Sequence, residues 1–347
     1  MSELTETGSQ GALRVGWTAE VDDYAIACEW ALGGKVILVG DAAGGVHAFN
    51  GKSGAAIWEQ SETHDGGLMA MVVHPGGKSF ATAGQDGKVM IWNADNGEEI
   101  TVLDLGSGWV EHLAWSLDGQ SLAAASSRFV HVFSVDGQEI WQSEAHPSTV
   151  SAVSWSSTEE LATACYGRVS FYNGATGELT QKLEWKGSLV SMDLSPDGDI
   201  VACGSQDNSV HFWRRSTAKD SMMSGYAGKP SNLAFDRGGS LLATGGGPIV
   251  IVWCFDAGGP EGTRPGLLEL HDEPVSSLAF APRGLRLASG AKDGGIVLWA
   301  LQSDGQGDAI GAALMSDLVS AIAWRPDGRI LAAVDAKGKV TAWRLKK

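Results

Sequence analysis

An aromatic residue recurs along this chain at a nearly constant interval, and each copy ends a short apolar run. The copies are Phe49, Trp92, Phe133, Phe171, Trp213, Trp253, Trp299 and Trp343. The mean interval is 42 residues, because seven intervals separate residue 49 from residue 343. A Gly-containing turn recurs with them, as HPGG at 74, SLDG at 116, SPDG at 195, DRGG at 236, APRG at 281 and RPDG at 325. Such a period predicts a repeat protein whose copies are stabilised by their neighbours.

The copy from His64 to Trp92 shows what each repeat contains. Three apolar runs are separated by Pro- and Gly-containing turns, which predicts three short strands. A fourth run follows the aromatic in several copies, as AAIWEQ after Phe49 and QEIWQS after Phe133. Four strands in about 40 to 45 residues correspond to one blade of a β-propeller.

The last copy lacks a fourth run, and the N-terminus has an unpaired one. Residues 319–345 supply three runs, whereas ALRVGWTAEV at 12–21 has no partner nearby in the sequence. We expect residues 12–21 to form the outer strand of the last blade, because an open ring would expose an unpaired edge. The predicted fold is all-β: an eight-bladed propeller with four antiparallel strands per blade. Residues 1–11 are expected to be a flexible tail and 12–347 a single domain.

These landmarks resemble the WD40 (WD-repeat) β-propeller family over nearly the whole chain. In that family a buried network joins a His before the first strand, a Ser or Thr in the second, an Asp in the next turn and the Trp of the third. The resemblance places a complete set at His64, Thr82, Asp86 and Trp92, and another at His271, Ser289, Asp293 and Trp299. Their repetition indicates a structural role rather than a catalytic one. The fourth copy keeps His146 and Thr163 but has a shortened turn, CYGR, without the Asp.

Composition excludes several classes of function. The chain has 41 acidic and 25 basic side chains, a net charge of −16, which disfavours a nucleic-acid partner. No long apolar run or export signal is visible, so we expect no membrane span and a cytoplasmic location. Four dispersed cysteines without CxxC spacing are expected to be buried thiols: Cys28, Cys165, Cys203 and Cys254. The eight histidines lack metal-site spacing, so no metal and no cofactor are predicted.

The sequence of the first copy suggests an alternative function. GGVHAFNGKSGAAIWEQ resembles the repeat of pyrroloquinoline-quinone-type propellers, in which an Asx, a Gly and a Trp dock neighbouring blades, and VDGQEIW at 135–141 echoes it. This resemblance would imply a propeller enzyme, or a propeller that binds a small ligand or metal. A Trp that only packs blades together is the other interpretation, and we favour it because no quinone or calcium site can be located.

The WD40 resemblance also implies where a partner would bind. In that family, residues at the entries of the first strands and before the turn Asp line the mouth of the central channel. The corresponding positions here are Tyr24, Met69, Trp109, Glu111, Leu189, Lys229 and Leu318 at the entries, and Gln85, Tyr166, Gln206 and Lys292 at the turns. Met69, Leu189 and Leu318 could instead pack beneath the loops. Trp109 and Trp185 are the tryptophans that repeat position does not explain. The expected function is a non-catalytic scaffold, monomeric by itself, that binds a protein or peptide at this mouth.

Overall fold

The computed structural model describes residues 9–156 and 159–346, and nearly all of its regular structure is β-strand. In chain order the strands are β1 (Ser9–Gly11), β2 (Leu13–Glu20), β3 (Ala25–Ala31), β4 (Val36–Asp41), β5 (Val46–Asn50), β6 (Ala56–Gln60), β7 (Leu68–Val73), β8 (Ser79–Gly84), β9 (Lys88–Asn93), β10 (Glu99–Asp104), β11 (Val110–Trp115), β12 (Ser121–Ser126), β13 (Phe129–Ser134), β14 (Glu139–Gln142), β15 (Ala152–Trp155), β16 (Glu160–Asn173), β17 (Leu179–Leu194), β18 (Ile200–Ser205), β19 (Val210–Arg214), β20 (Lys219–Met223), β21 (Asn232–Phe235), β22 (Leu241–Gly245), β23 (Ile249–Cys254), β24 (Gly266–Glu269), β25 (Val275–Phe280), β26 (Arg286–Ala291), β27 (Gly295–Leu301), β28 (Gly307–Leu314), β29 (Val319–Trp324), β30 (Ile330–Asp335) and β31 (Lys339–Leu345). Short 3₁₀ turns lie at Leu32–Gly34 and Asp256–Gly258.

The strands form antiparallel sheets arranged as the blades of a propeller. Four-stranded sheets are β3-β4-β5-β6, β10-β9-β8-β7, β11-β12-β13-β14, β21-β22-β23-β24 and β2-β31-β30-β29. The remaining two are β1-β28-β27-β26-β25, with five strands, and β15-β16-β17-β18-β19-β20, with six. The innermost strands contact one another in order around a central channel, and β29 meets β3 to close the ring. The hydrophobic core lies between neighbouring sheets, where apolar second and third strands are buried on both faces.

The predicted count of eight blades is corrected by the sheet topology, because the described strands form seven hydrogen-bonded sheets. The two copies that contain Phe171 and Trp213 are joined in the six-stranded sheet. β16 continues through a tight turn at Gly167, whose φ of +87° suits glycine. β17 then passes directly from pairing with β16 (Tyr166↔Ser188) to pairing with β18 (Leu189↔Ser205). The short CYGR turn and the extended residues 185–187 leave no loop to separate the two copies.

Closure by the N-terminal strand is confirmed. β2 pairs with β31 over its whole length, with Val15 opposite Trp343. Leu13 and Trp17 on β2 are buried, and the indole N–H of Trp17 donates to Gly51 O at 3.2 Å in the next sheet. The ring is therefore closed by segments from opposite ends of the sequence.

The flexible tail predicted over residues 1–11 ends earlier in the structure, because its last three residues form a strand. Residues 1–8 lie outside the described residues, whereas Ser9–Gly11 forms β1 and pairs with β28. The chain thus pairs with two adjacent sheets in succession. β1 covers the outer edge of β28 before β2 completes the next sheet.

Tryptophans on three outer strands attach their sheet to the following one. Trp17, Trp58 and Trp141 each pack on a glycine of the next sheet's turn, respectively Gly54, Gly97 and Gly177. A Cβ at any of these glycines would lie 2.6–2.7 Å from the indole ring, so the close approach requires glycine. Trp141 also donates to Gly174 O at 2.9 Å. These contacts agree with the interpretation that the Trp of the Asx, Gly and Trp pattern packs neighbouring blades together.

Candidate functional site at the channel mouth

The first predicted network is present, and its geometry is structural. The indole N–H of Trp92 donates to Thr82 Oγ1 at 2.8 Å, and this hydroxyl lies 2.8 Å from His64 Nε2. His64 Nδ1 lies 3.0 Å from Asp86 Oδ1. Burial lowers the pKa of His64, so the ring is neutral and donates from Nδ1 to the carboxylate. Each donor of this set has an acceptor, as is typical of a buried structural network.

The second predicted network repeats this arrangement, but its carboxylate lies farther from the histidine ring. Ser289 Oγ lies 2.7 Å from His271 Nε2 and accepts from the Trp299 indole at 2.8 Å. Asp293 lies 3.8 Å from His271 Nδ1 and accepts from the backbone amides of Asp272 and Gly295. Burial opposes ionisation of Asp293, but the nearby His271 and these amides outweigh it and lower its pKa to about 2.

Two further networks use tyrosine. Trp253 donates to the Tyr226 hydroxyl at 2.9 Å, and this hydroxyl lies 2.9 Å from Thr244 Oγ1, so Tyr226 replaces the histidine. Sequence analysis missed this set, although Trp253 and a Thr at the hydroxyl position were available signals.

In the fourth copy, His146 Nε2 lies 2.9 Å from Thr163 Oγ1 and 3.3 Å from the Tyr172 hydroxyl. Tyr172, rather than the predicted Phe171, therefore occupies the network position. The shortened CYGR turn shifts the alignment by one residue.

The predicted partner-binding positions lie on one face of the propeller, which we call the entry face. It consists of the connections into the first strands and the turns between second and third strands. Backbone hydrogen bonds join the two sets within a sheet: Gln85 N donates to Gly67 O, Gln206 N to Ser188 O, and Lys292 N to Pro274 O, at 2.9–3.1 Å. The turn positions are thereby held beside the entries.

A cleft of about 580 Å³ opens on this face, and we call it the mouth cleft. It is lined by the start of β11, by residues 148–151, by the turn of β16 and by residues 188–190 in the second half of β17. Three predicted positions, Glu111, Tyr166 and Leu189, come together here. The Tyr166 amide donates to Ser148 Oγ at 2.8 Å, which fixes the turn while leaving the Tyr166 side chain 57 % exposed.

Other lining residues give the mouth cleft a mixed polar character. His112 is a residue that sequence analysis did not assign to the site, and burial lowers the pKa of its imidazole. Ser148 and Ser188 contribute polar atoms beside the carboxylate of Glu111. Trp109 lies two residues before Glu111 and is 52 % exposed. The cleft can therefore form hydrogen bonds, an ion pair with a cation and aromatic contacts.

The remaining predicted positions are distributed around the entry face. Tyr24, Gln206, Lys229 and Lys292 are exposed, and Met69, Gln85 and Leu318 are partly buried. Leu189 is 1 % exposed and packs in the core, so its side chain cannot meet a partner. The Trp185 ring is also engaged within the protein, because it stacks on His211 with 3.7 Å between the ring centroids.

The channel wall holds polar groups that join adjacent innermost strands. Ser191 and Ser276 donate to Pro230 O and Val319 O of the next sheet, at 2.7 and 2.5 Å, and Ser320 donates to Ala25 O. Two acids make similar links that sequence analysis missed. Glu29 Oε2 accepts from the Val73 amide at 2.8 Å, and Asp193 Oδ2 from the Phe235 amide at 2.7 Å.

In 9–156 and 159–346, no three His, Cys, Asp or Glu side chains lie close enough to bind one ion. Cys28, Cys165 and Cys203 are buried free thiols, as predicted, and Cys254 is a half-buried free thiol. Within the same ranges, no helix has the length and apolar character needed to cross a membrane.

Two family models match the chain. One, described as "WD domain, G-beta repeat", matches residues 262–300, which contain the network of His271, Ser289 and Trp299. The other, described as "PQQ_2: Outer membrane protein assembly factor BamB", matches residues 14–222, more than half of the chain. Over residues 14–222 the chain belongs to the PQQ_2 family, and its resemblance to the WD40 repeat is confirmed by the match at residues 262–300. The three tryptophan–glycine contacts all lie within the PQQ_2 match, and complete WD40 networks occur both inside and outside it.

Curated relatives and solved structures are similar to this WD40 propeller at low identity. Autophagy-related protein 16 of Arabidopsis thaliana is 26% identical over 81% of the chain and 56% of the relative. Actin-interacting protein 1 of Caenorhabditis elegans is 24% identical over 90% of the chain and 52% of the relative. The chain thus spans about half the length of these relatives.

The fold itself is matched by two crystal structures. The computationally designed Ika8 protein superposes with a TM-score of 0.82 at 19% identity, over 95% of this chain and 99% of that one. The WD40 repeats of RRP9 superpose with a TM-score of 0.65 at 17% identity, over 80% and 94%. At these identities the likeness concerns the fold.

Proposed function

We propose that this WD40 propeller is a non-catalytic scaffold that binds a protein or peptide partner at the mouth cleft. The observation that carries the proposal is the convergence of Glu111 and Tyr166 at one cleft of about 580 Å³, with the exposed Trp109 two residues before Glu111. Exposed aromatic side chains supply large contact area and are enriched among residues that dominate binding energy. The name of one relative, actin-interacting protein 1, agrees with an interaction role and does not identify this chain's partner.

The charge of the entry face favours a partner segment with basic residues. Its connections and turns carry more acidic than basic side chains. The acids are Asp22, Asp23, Glu62, Asp65, Asp86, Glu144, Asp207, Asp272, Glu273, Asp293 and Asp317, and the bases are Arg128, Lys186, Lys229, Lys292 and Lys337. Complementary charge accelerates encounter and orients the partner. Within the cleft, Glu111 is the carboxylate that would meet a lysine or arginine.

The remaining parts of the proposal concern location and assembly. Four free thiols are typical of proteins in a reducing compartment, which supports the cytoplasm. We also propose that the protein is monomeric by itself. The PQQ_2 match is accounted for by the tryptophan–glycine contacts between sheets, so it gives no separate support to a quinone-dependent enzyme.

The test is partner capture with variants of exposed residues on the entry face. Partners recovered by the wild-type protein are identified by mass spectrometry, and binding of the purified partner is then measured. We expect Tyr166→Ala, and Trp109→Ala combined with Tyr24→Ala, to weaken binding by about tenfold or more, because each removes a large contact side chain.

The matched control is Leu117→Ala, an exposed apolar residue in a turn of the opposite face. It should bind like the wild-type protein. Melting temperatures establish that all variants are folded. Affinity that is unchanged in the folded entry-face variants would refute the mouth cleft as the binding site.

A further inference from the structure

A second cleft lies on the face opposite the mouth cleft, where the first sheet meets the last. We call it the seam cleft, because β2 and β31 close the ring beside it. Its volume is about 390 Å³, and its lining residues are Lys52, Arg325, Arg329, Ile330, Arg344 and Leu345. Lys52 belongs to the turn after β5, and the others come from the ends of β29, β30 and β31.

Four of the six lining residues are cations, in a chain with a net charge of −16. Arg325 is paired with Asp327, at 3.0 Å from Nε and 2.6 Å from Nη2. Arg344 reaches across the seam toward Lys52, with 3.5 Å between its Nη2 and the Lys52 carbonyl oxygen. Lys52, Arg329 and Arg344 are exposed, and none of them forms an ion pair with a carboxylate among the described residues.

Other clefts on the same face have a different balance of charge. In a cleft of about 530 Å³ between β16 and β19, Arg215 is paired with Glu160 at 2.6 Å, and Asp197 and Asp199 lie in the same lining. The cleft beside it contains Asp118, Glu159 and Glu160 and no lysine or arginine in its lining. Unbalanced positive charge is therefore particular to the seam cleft among these three.

Two of the arginine side chains and the turn that carries Lys52 are positioned by neighbouring groups. The stem of Arg344 lies on Gly16, where a Cβ would come within 3.4 Å of its Cγ, and the stem of Arg325 lies on Gly34. The Lys52 turn is fixed by Asn50 Oδ1, which accepts from the Lys52 amide at 3.0 Å. Binding an anion here would require little ordering of the chain, which favours affinity.

We propose that the seam cleft binds a small ligand with two linked phosphate groups. Guanidinium groups donate parallel hydrogen bonds that match phosphate oxygens, and three of the four cations are arginines. Cations from three strand ends and one turn line the space, so a ligand with two phosphates would meet more of them than a single phosphate would. Bound phosphate would also offset repulsion between cations of the first and last sheets, and would stabilise the closed ring.

The experiment uses the full chain and sodium pyrophosphate at low ionic strength, without divalent cations. Calorimetric titration should show saturable binding, and the melting temperature should rise with pyrophosphate beyond any effect of sodium chloride at equal ionic strength. Arg329→Gln and Arg344→Gln should each weaken binding by about tenfold or more, because each removes charge-assisted hydrogen bonds. Inorganic phosphate should bind more weakly than pyrophosphate.

Lys78→Gln is the matched control. Lys78 occupies in HPGGK the repeat position that Arg329 occupies in RPDGR, and it is exposed on the same face. It should bind pyrophosphate like the wild-type protein. Because Arg329 and Arg344 are exposed, the Arg329→Gln and Arg344→Gln variants are expected to fold, which melting without ligand verifies.

Three results would overturn the proposal. They are the absence of saturable binding at millimolar pyrophosphate, equal weakening by Lys78→Gln and Arg329→Gln, and inorganic phosphate binding as tightly as pyrophosphate. None of them bears on the mouth cleft, which lies on the other face.

Discussion

Glu29 and Asp193 are the residues on the channel wall whose ionisation the fold most disfavours. Burial raises the pKa of Glu29 to about 7, despite the hydrogen bond from the Val73 amide. Burial likewise raises the pKa of Asp193 to about 6, against the amides of Phe235 and Leu194. Both side chains link one innermost strand to the next, so their protonation is coupled to contacts between blades.

A pH-dependent stability follows from these raised pKa values. Glu29 ionises near pH 4.5 in the unfolded chain and near pH 7 in the folded protein. The contribution of its neutral carboxyl group to the free energy of unfolding is therefore complete below pH 4.5 and is lost as the pH rises through 7. Glu29→Gln keeps an acceptor for the Val73 amide without this loss. We expect the unfolding free energy of the variant relative to wild type to rise by about 3 kcal/mol between pH 4.5 and pH 8. Asp193→Asn should behave similarly between about pH 4 and 7.

Denaturant unfolding at both pH values measures this effect. Glu98→Gln, at an exposed glutamate, is the control and should leave the difference near zero. A Glu29→Gln variant whose stability relative to wild type is the same at both pH values would show that the carboxyl titrates normally.

At this scale the sequence predicted what recurs at fixed offsets. His64, Thr82 and Trp92 were found because each network member has a repeat position. Tyr226 was missed because a different side chain fills the histidine's role from the same loop. Glu29 was missed for another reason: its partner is a backbone amide, that of Val73 in another sheet, and backbone partners leave no signature in side-chain patterns.

At the scale of single elements, β2 has the largest consequence for the fold. It buries Leu13 and Trp17 and removes the open edge of β31. Its role could be predicted because the last copy lacked one strand. The joining of two copies through β16 and β17 could not be counted from the period, because it depends on how residues 165–168 and 185–187 turn.

Removing β2 should therefore open the ring. Deletion of residues 1–21 exposes the apolar face that Leu13 and Trp17 cover, and leaves β31 unpaired on one side. We expect a melting temperature lower by about 10 °C or more, or aggregation seen by size-exclusion chromatography. Deletion of residues 1–8 alone, which keeps β1 and β2, is the control. If both deletions melted like the full chain, closure by β2 would not contribute to stability.

At the scale of the whole molecule, a ring whose sheets contact only their neighbours should not depend on which connection is cut. The two ends of the described chain meet at the seam, where Lys346 N donates to Ala12 O at 2.9 Å. A short Gly/Ser linker can therefore join the C-terminus to residue 9. New ends can be placed between Glu261 and Gly262, in the exposed connection from β23 to β24.

In this circular permutant the roles of two elements are exchanged. β24 becomes the strand that closes the ring from the opposite end of the sequence, as β2 does in the natural order, and β2 becomes covalently continuous with β31. All pairings between strands are retained, so we expect a monomer with the same circular dichroism and a melting temperature within about 5 °C of wild type. The control is a permutant opened inside β12, at the buried Ala123, which should not fold because the cut breaks a strand of the core. A permutant opened at 261 that is equally unfolded would mean that stability depends on the order in which the blades form, and not only on the contacts of the closed ring.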